Sequence, residues 1–183
     1  MAAAELAAVA FGLAYIVLAI REHRLCWIAG GIGTAIYGFV FLDAGLPMQA
    51  ALQIVYVALS AYGWLAWSRA SAGALPVRTW PWPRHLAAAA AIGVATAISS
   101  PIAERYALAA APVADSIGTW ASLFATWLLA RRVIDTWPWW IAIDAGLAAL
   151  FARQGLWPTA ALYLAYAVLA VAGWRQWRAR RSA

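Results

Sequence analysis

The sequence predicts an all-α integral membrane protein, with seven transmembrane helices in a 3+1+3 arrangement of parallel repeats. Three observations carry this reading. Hydrophobic residues make up 66% of the 183 positions and charged residues only 11%, against roughly 25% charged in an ordinary soluble domain. The apolar residues fall in long continuous runs, not in the short alternating segments of a membrane β-barrel. A stretch near the start of the chain recurs at an offset of 110 residues.

A spanning helix needs about 20 mostly apolar residues. Seven segments qualify, at roughly 4–20, 27–43, 48–67, 85–103, 113–130, 137–152 and 157–177, by that length rule. The start, Met1-Ala2-Ala3-Ala4-Glu5, has no basic region, so the first run reads as a retained helix and not as a signal peptide. The stretch from Ser68 to Arg84 holds Pro76, Pro81 and Pro83 and cannot be helical throughout, because proline removes a backbone donor and clashes with the preceding turn. It is the longest connector. Little chain is left for anything else, so 1–183 reads as one transmembrane domain. Repeat one covers about 4–67, a linking helix about 85–103 and repeat two about 113–177, on the same length rule.

Charge placement sets the orientation. All 13 basic residues are arginine. If the seven helices alternate, eleven arginines fall on one side, from Arg21 and Arg24 to the tail at Arg178, Arg180 and Arg181, and only Arg105 and Arg153 fall on the other. Arginine-rich loops stay in the cytoplasm, so the N-terminus is expected outside and the C-terminus inside. Clusters of this kind suit loops and not a phosphate-tracking stripe, which argues against nucleic acid as a partner. The single cysteine, Cys26, excludes an intramolecular disulfide and a cysteine-based metal site. With no P-loop, ATP coupling has no support.

The repeat is the most informative feature. Gly63-Trp64-Leu65-Ala66-Trp67 recurs as Gly173-Trp174-Arg175-Gln176-Trp177. Without a gap, Trp27 pairs with Trp137, Phe41 with Phe151, Tyr56 with Tyr166 and Arg21 with Arg131, and 16 of the 56 positions between 12–67 and 122–177 are identical. One helix between two three-helix units gives both units the same orientation. Repeat-built membrane folds are commonly transporters, with a substrate site near the midplane at the repeat interface.

Intramembrane polar residues are costly and mark sites by default. Asp144 is the one acid deep in a span, and its repeat partner is Thr34. Trp137 and Trp140 share its helical face. On the third helix Gln53, Tyr56 and Ser60 share a face, and Tyr163 and Tyr166 stand at the matching positions of the seventh. The fifth helix carries Ser116, Thr119, Trp120, Ser122 and Thr126. Serine and threonine there also serve plain helix packing. Rings plus a few hydrogen-bonding groups suit a flat heterocycle. The candidate substrate-binding set is Gln53, Tyr56, Trp120, Thr126, Trp137, Trp140, Asp144, Tyr163 and Tyr166. Trp64, Trp67, Trp174 and Trp177 read as an interfacial belt, and His23 and His85 as solvated loop residues. No nucleophile–base pair and no metal cluster is visible at depth, so neither an enzyme nor a cofactor is expected. A small membrane assembly or scaffold protein is a further alternative.

Ala51-Leu52-Gln53-Ile54-Val55-Tyr56, Ser60-Ala61-Tyr62-Gly63-Trp64, the Trp137-x-x-Trp140-x-x-x-Asp144 spacing, Gly155-Leu156-Trp157, Leu162-Tyr163 and Gly173-Trp174-Arg175-Gln176-Trp177 together resemble the PnuC family of vitamin transporters. Its fold is similar to that of the SWEET sugar transporters. The resemblance covers about 27–67 and 113–178. It implies a 3+1+3 bundle assembled as a homotrimer in the bacterial cytoplasmic (inner) membrane. It also implies uptake of nicotinamide riboside, an NAD precursor, by facilitated diffusion, with a cytoplasmic kinase trapping the substrate. By matching position, Trp137 and Trp140 would be aromatic contacts to substrate, and Gln53 and Asp144 would supply hydrogen bonds. The chain contains no Asn, so any contact that the family makes through Asn is replaced or missing. Thiamine and riboflavin are the alternative cargoes.

Overall fold

The structure is a computed structural model describing residues 2–43, 47–69, 77–106, 111–153, 155 and 157–181. Among these residues there are seven helices: α1 (Ala2–Ile20), α2 (Cys26–Asp43), α3 (Pro47–Arg69), α4 (Trp82–Arg105), α5 (Pro112–Ala130), α6 (Thr136–Arg153) and α7 (Trp157–Arg181). Every segment read from the sequence falls on one of them. Five helices carry a proline in their first turn, at Pro47, Pro83, Pro112, Pro138 and Pro158. The missing N–H costs nothing there, because first-turn donors have no intrahelical partner. Pro81 stands before α4 in extended conformation, at φ −68 and ψ 144.

Large apolar side chains face outward. On α1, Leu6, Val9, Leu13 and Val17 are exposed at helical spacing, as are Val94, Ile98 and Ile102 on α4 and Leu164 and Val168 on α7. In water such faces would be a liability. In lipid they are the required surface, since the helices satisfy their own backbone. The chain is a multi-pass membrane protein. On length and hydropathy alone, three helices of the described residues are sufficient to cross a membrane: Cys26–Asp43, Ala50–Arg69 and Trp82–Arg105. A shorter apolar stretch, Leu6–Ile20, lies on α1.

The helices separate into two compact units. The first comprises the chain to Val77 with Leu129–Arg132 and the end from Gln176, and the second comprises Arg78–Leu128 and Val133–Arg175. In the first unit α2 packs against both α1 and α3. Trp27 is buried and lies edge-on to Tyr15 and Trp67 at 6.0 and 5.7 Å. Gly63 makes room for it: a Cβ there would lie 2.3 Å from the Trp27 ring. The Trp67 and Trp177 rings lie 6.2 Å apart. The Trp67 indole N–H donates to the Ala130 carbonyl at 3.1 Å, and that of Trp177 to the Ala19 and Ile20 carbonyls at 3.2 Å. These bonds cap the last carbonyls of α5 and α1, which have no intrahelical donor. The belt expectation therefore fails for Trp67 and Trp177, which are 1% and 0% exposed. The carbonyls that need capping draw both rings inward.

In the second unit the Thr136 hydroxyl donates to the Ala125 carbonyl at 2.8 Å, and Ala121, Ala125 and Ile143 form a buried cluster. The approach to α4 is held by an isolated bridge between Arg78 and Val133 and by the Trp80 N–H, which donates to Asp135 Oδ2 at 2.7 Å. Trp137 packs on Gly173, where a Cβ would come within 2.6 Å of the ring.

The turn after α1 is rebuilt after α5, bond for bond, at the offset of 110. Glu22 N–H donates to Ala19 and His23 N–H to Leu18, and Arg132 and Val133 donate in the same way to Leu129 and Leu128. Glu22 and Arg132 both take the left-handed conformation, at φ 58 and 54. This is the 6→1 and 5→2 pattern of a helix end that turns sharply. The contacts Cys26 to His23 and Thr136 to Val133 continue the correspondence.

Candidate functional site

Asp144 sits at the middle of α6 and is 5% exposed. Among the described residues it has no hydrogen-bond or ion-pair partner. An unpartnered carboxylate held away from water costs several kcal/mol on the order expected for buried ions. Such a group persists where a function uses it. One turn earlier, Trp140 is half-buried and packs with Trp139 and Leu147 against the cluster of Ala121, Ala125 and Ile143. A ring and a carboxyl thus lie a helical turn apart on α6.

The other sequence-derived candidates divide among several roles. Trp137 is 4% exposed and its ring fills the space over Gly173, as Trp27 fills that over Gly63, so packing accounts for it. Thr126 is buried, and its hydroxyl donates to the Ser122 carbonyl of its own helix at 2.8 Å. Trp120 turns toward α4, where its N–H donates to Ser99 Oγ at 3.1 Å. Tyr163 stacks on Phe151 at 5.3 Å and meets Tyr166 edge-on at 5.9 Å, a short aromatic run from α6 to α7. Gln53 and Tyr56 lie in the first unit, both half-buried on one face of α3 with buried Ser60. Gly38 and Gly31 of α2 stand opposite Gln53 and Ser60, at ordinary contact distance for a Cβ. Gln53 also lines a cavity of about 400 Å³ between α2 and α3.

Sequence reasoning missed His85. It is in the first turn of α4, not in a loop, because Pro81 and Pro83 open a helix here instead of preventing one. Its Nδ1 accepts from the Trp139 indole at 3.2 Å and its Nε2 lies 3.5 Å from Asp135. The signal was the proline placement itself, which is allowed at a helix start. Among the described residues no group of His, Cys, Asp and Glu could hold a metal.

A family model described as nicotinamide mononucleotide transporter matches residues 2–179. The chain belongs to that family. The nicotinamide riboside transporter PnuC of Escherichia coli strain K12 is similar at 26% identity, over 91% of this chain and 81% of its own length. The riboflavin/roseoflavin transporter RibM of Streptomyces davaonensis is similar at 27% identity, over 93% of this chain and 83% of its own. The crystal structure of the vitamin B3 transporter PnuC matches with a TM-score of 0.75 at 21% identity, covering 98% of this chain and 82% of that one. This shows that the chain has the fold of that transporter. The resemblance to PnuC drawn from the tryptophan, tyrosine and glycine motifs agrees with the family match, the Escherichia coli relative and the solved structure.

Proposed function

We propose that this protein carries nicotinamide riboside across the membrane by facilitated diffusion, with a cytoplasmic kinase trapping the product. The observation that carries the reading is the buried, unpartnered carboxyl of Asp144 one turn from the Trp140 ring. Nicotinamide riboside is a flat cationic ring on a neutral sugar. A tryptophan face attracts such a ring by ~0.5–2 kcal/mol, and a carboxylate balances its charge or accepts from ribose hydroxyls. No arginine or lysine belongs to the candidate set, which favours the unphosphorylated riboside over a phosphorylated nucleotide. The relatives named as transporters support a non-enzymatic role.

Within this reading the seven helices form a 3+1+3 pair of parallel repeats, supported by the duplicated turns. In the second unit Trp140, Asp144, Tyr163 and Tyr166 are the proposed substrate contacts, and in the first unit Gln53 and Tyr56. Trp137 positions α6 against α7. The protein works as a homotrimer in the bacterial inner membrane, with its arginine-rich side in the cytoplasm. A C-terminal reporter active only when exported would reverse that orientation.

Riboflavin is the second reading, favoured by the similarity to a riboflavin/roseoflavin transporter. Its ring system is larger and uncharged, so a carboxylate gains less from it. Purified protein titrated with nicotinamide riboside, nicotinamide mononucleotide, thiamine and riboflavin decides the matter. The riboside should bind most tightly. Tightest binding of riboflavin or the mononucleotide would overturn the assignment.

A further inference from the structure

A cavity of about 710 Å³ runs between α4 and α5 in the second unit. Its α4 wall is mostly small side chains, Ala87, Ala91 and Ala95, with Ile92 among them, and its α5 wall carries Trp120, Phe124 and Trp127. Asp144 and Trp140 do not line it, though Ile92 packs against the same cluster as Trp140. Trp120 of the α5 wall donates its indole N–H to Ser99 Oγ of α4 at 3.1 Å. At one end stands Arg84, exposed, with its guanidinium 5.7 Å from the Trp80 ring centre. Among the described residues no carboxylate pairs with Arg84, and Asp135 is engaged by the Trp80 N–H and by His85.

The dimensions are informative. From residue 84 to residue 95 a helix rises about 16 Å, at 1.5 Å per residue. One leaflet of the hydrocarbon core is about 15 Å thick, half of the ~30 Å total. A cation at one end of an apolar channel one leaflet deep matches a phospholipid in both charge and length. Alanine methyls let an extended chain lie close to the helix. The aromatic wall offers broad contact, and the guanidinium forks onto a phosphate. Basic side chains at a membrane surface attract anionic lipid by about 1 kcal/mol each.

We propose that the α4–α5 groove holds one anionic phospholipid, with its phosphate on Arg84 and an acyl chain along Ala87, Ala91 and Ala95. The test uses the full chain in dodecyl maltoside with added phosphatidylglycerol, read by native mass spectrometry and by melting temperature. One lipid adduct should persist in the wild type. Arg84→Gln, at an exposed position that does not threaten folding, should lower its occupancy at least tenfold, as loss of a charge-assisted contact of ~1.4 kcal/mol or more would. Ala91→Phe should remove the adduct by filling the channel. If Ala91→Phe does not fold, Arg84→Gln decides alone. The proposal is overturned if Arg84→Gln keeps the adduct. It is also overturned if inorganic phosphate stabilises as well as the lipid does, or if Ala91→Phe breaks up an oligomer while the adduct stays, which would make the groove a contact between copies.

Discussion

The first three helices and the last three fill two matching positions in opposite ways. In the first unit the large side chains come from α1 and the small ones from α2. Tyr15 lies over Gly30, where a Cβ would meet its ring at 2.9 Å, and Phe11 lies over Gly33. At the offset of 110 these four become Ala125, Trp140, Ala121 and Ile143. In the second unit, then, the small side chains are on α5 and the large ones on α6, packed in one cluster. The volume is similar, but the donor helix is exchanged. This exchange gives α6 a ring that α2 lacks, one turn before the position that is Asp144 in one unit and Thr34 in the other. Thr34 is satisfied locally, since its hydroxyl donates to the Gly30 and Gly31 carbonyls at 2.9 and 3.1 Å. Asp144 is not. The duplicated frame thus holds an unpartnered carboxyl in one unit and a locally satisfied hydroxyl in the other.

Exchanging the packing back should give the largest effect. Trp140→Gly should cost ~3–5 kcal/mol, the range for emptying a large aromatic site, seen as a steep fall in melting temperature. Adding Ala125→Tyr to rebuild the first unit's arrangement should recover part of that stability and none of the ligand binding. Recovery of binding as well would mean that the ring serves packing alone.

Asp144→Ala comes next. Losing a charge-assisted hydrogen bond to substrate should cost ~1.5–3 kcal/mol, a weakening of about 10- to 150-fold in affinity. The unliganded melting temperature should hold or rise, because no protein partner is lost. A fall in melting temperature with affinity intact would make Asp144 a strut.

The two tryptophan–glycine contacts offer a graded comparison. Gly63→Ala and Gly173→Ala should each destabilise by ~1–3 kcal/mol, as overpacking does. The Gly63 change should be the worse, since its Cβ would come closer to the ring. Trp27→Leu should relieve Gly63→Ala and leave Gly173→Ala untouched in a double-mutant cycle. Smallest of all, Thr34→Val should change melting and uptake little, by less than ~1 kcal/mol, because its hydroxyl serves only its own helix.

Much of this was legible in the sequence. Apolar runs between arginine clusters located every helix of the described residues, since lipid demands unbroken length, but proline was read only as a helix breaker and not as a mark of helix starts. The offset of 110 was legible because tryptophan and glycine are scarce enough to match meaningfully. The volume exchange was not, because alignment rewards sameness and the exchanged pairs share no residue. Asp144 stood out from its depth alone. Trp67 and Trp177 looked like belt residues because an indole near a helix end serves either lipid or a carbonyl, and the one-dimensional pattern is the same. His85 was hidden by the prolines around it.

The capping of α1 by Trp177 also imposes an order in time. The donor lies 158 residues after Ala19 in the chain. At ribosomal speeds of roughly 5–20 residues per second, about 8–30 s pass between the two. Throughout that interval the carbonyls of Ala19 and Ile20 lack their indole donor, and the end of α1 is held by the bonds of its own turn, Glu22 N–H to Ala19 and His23 N–H to Leu18.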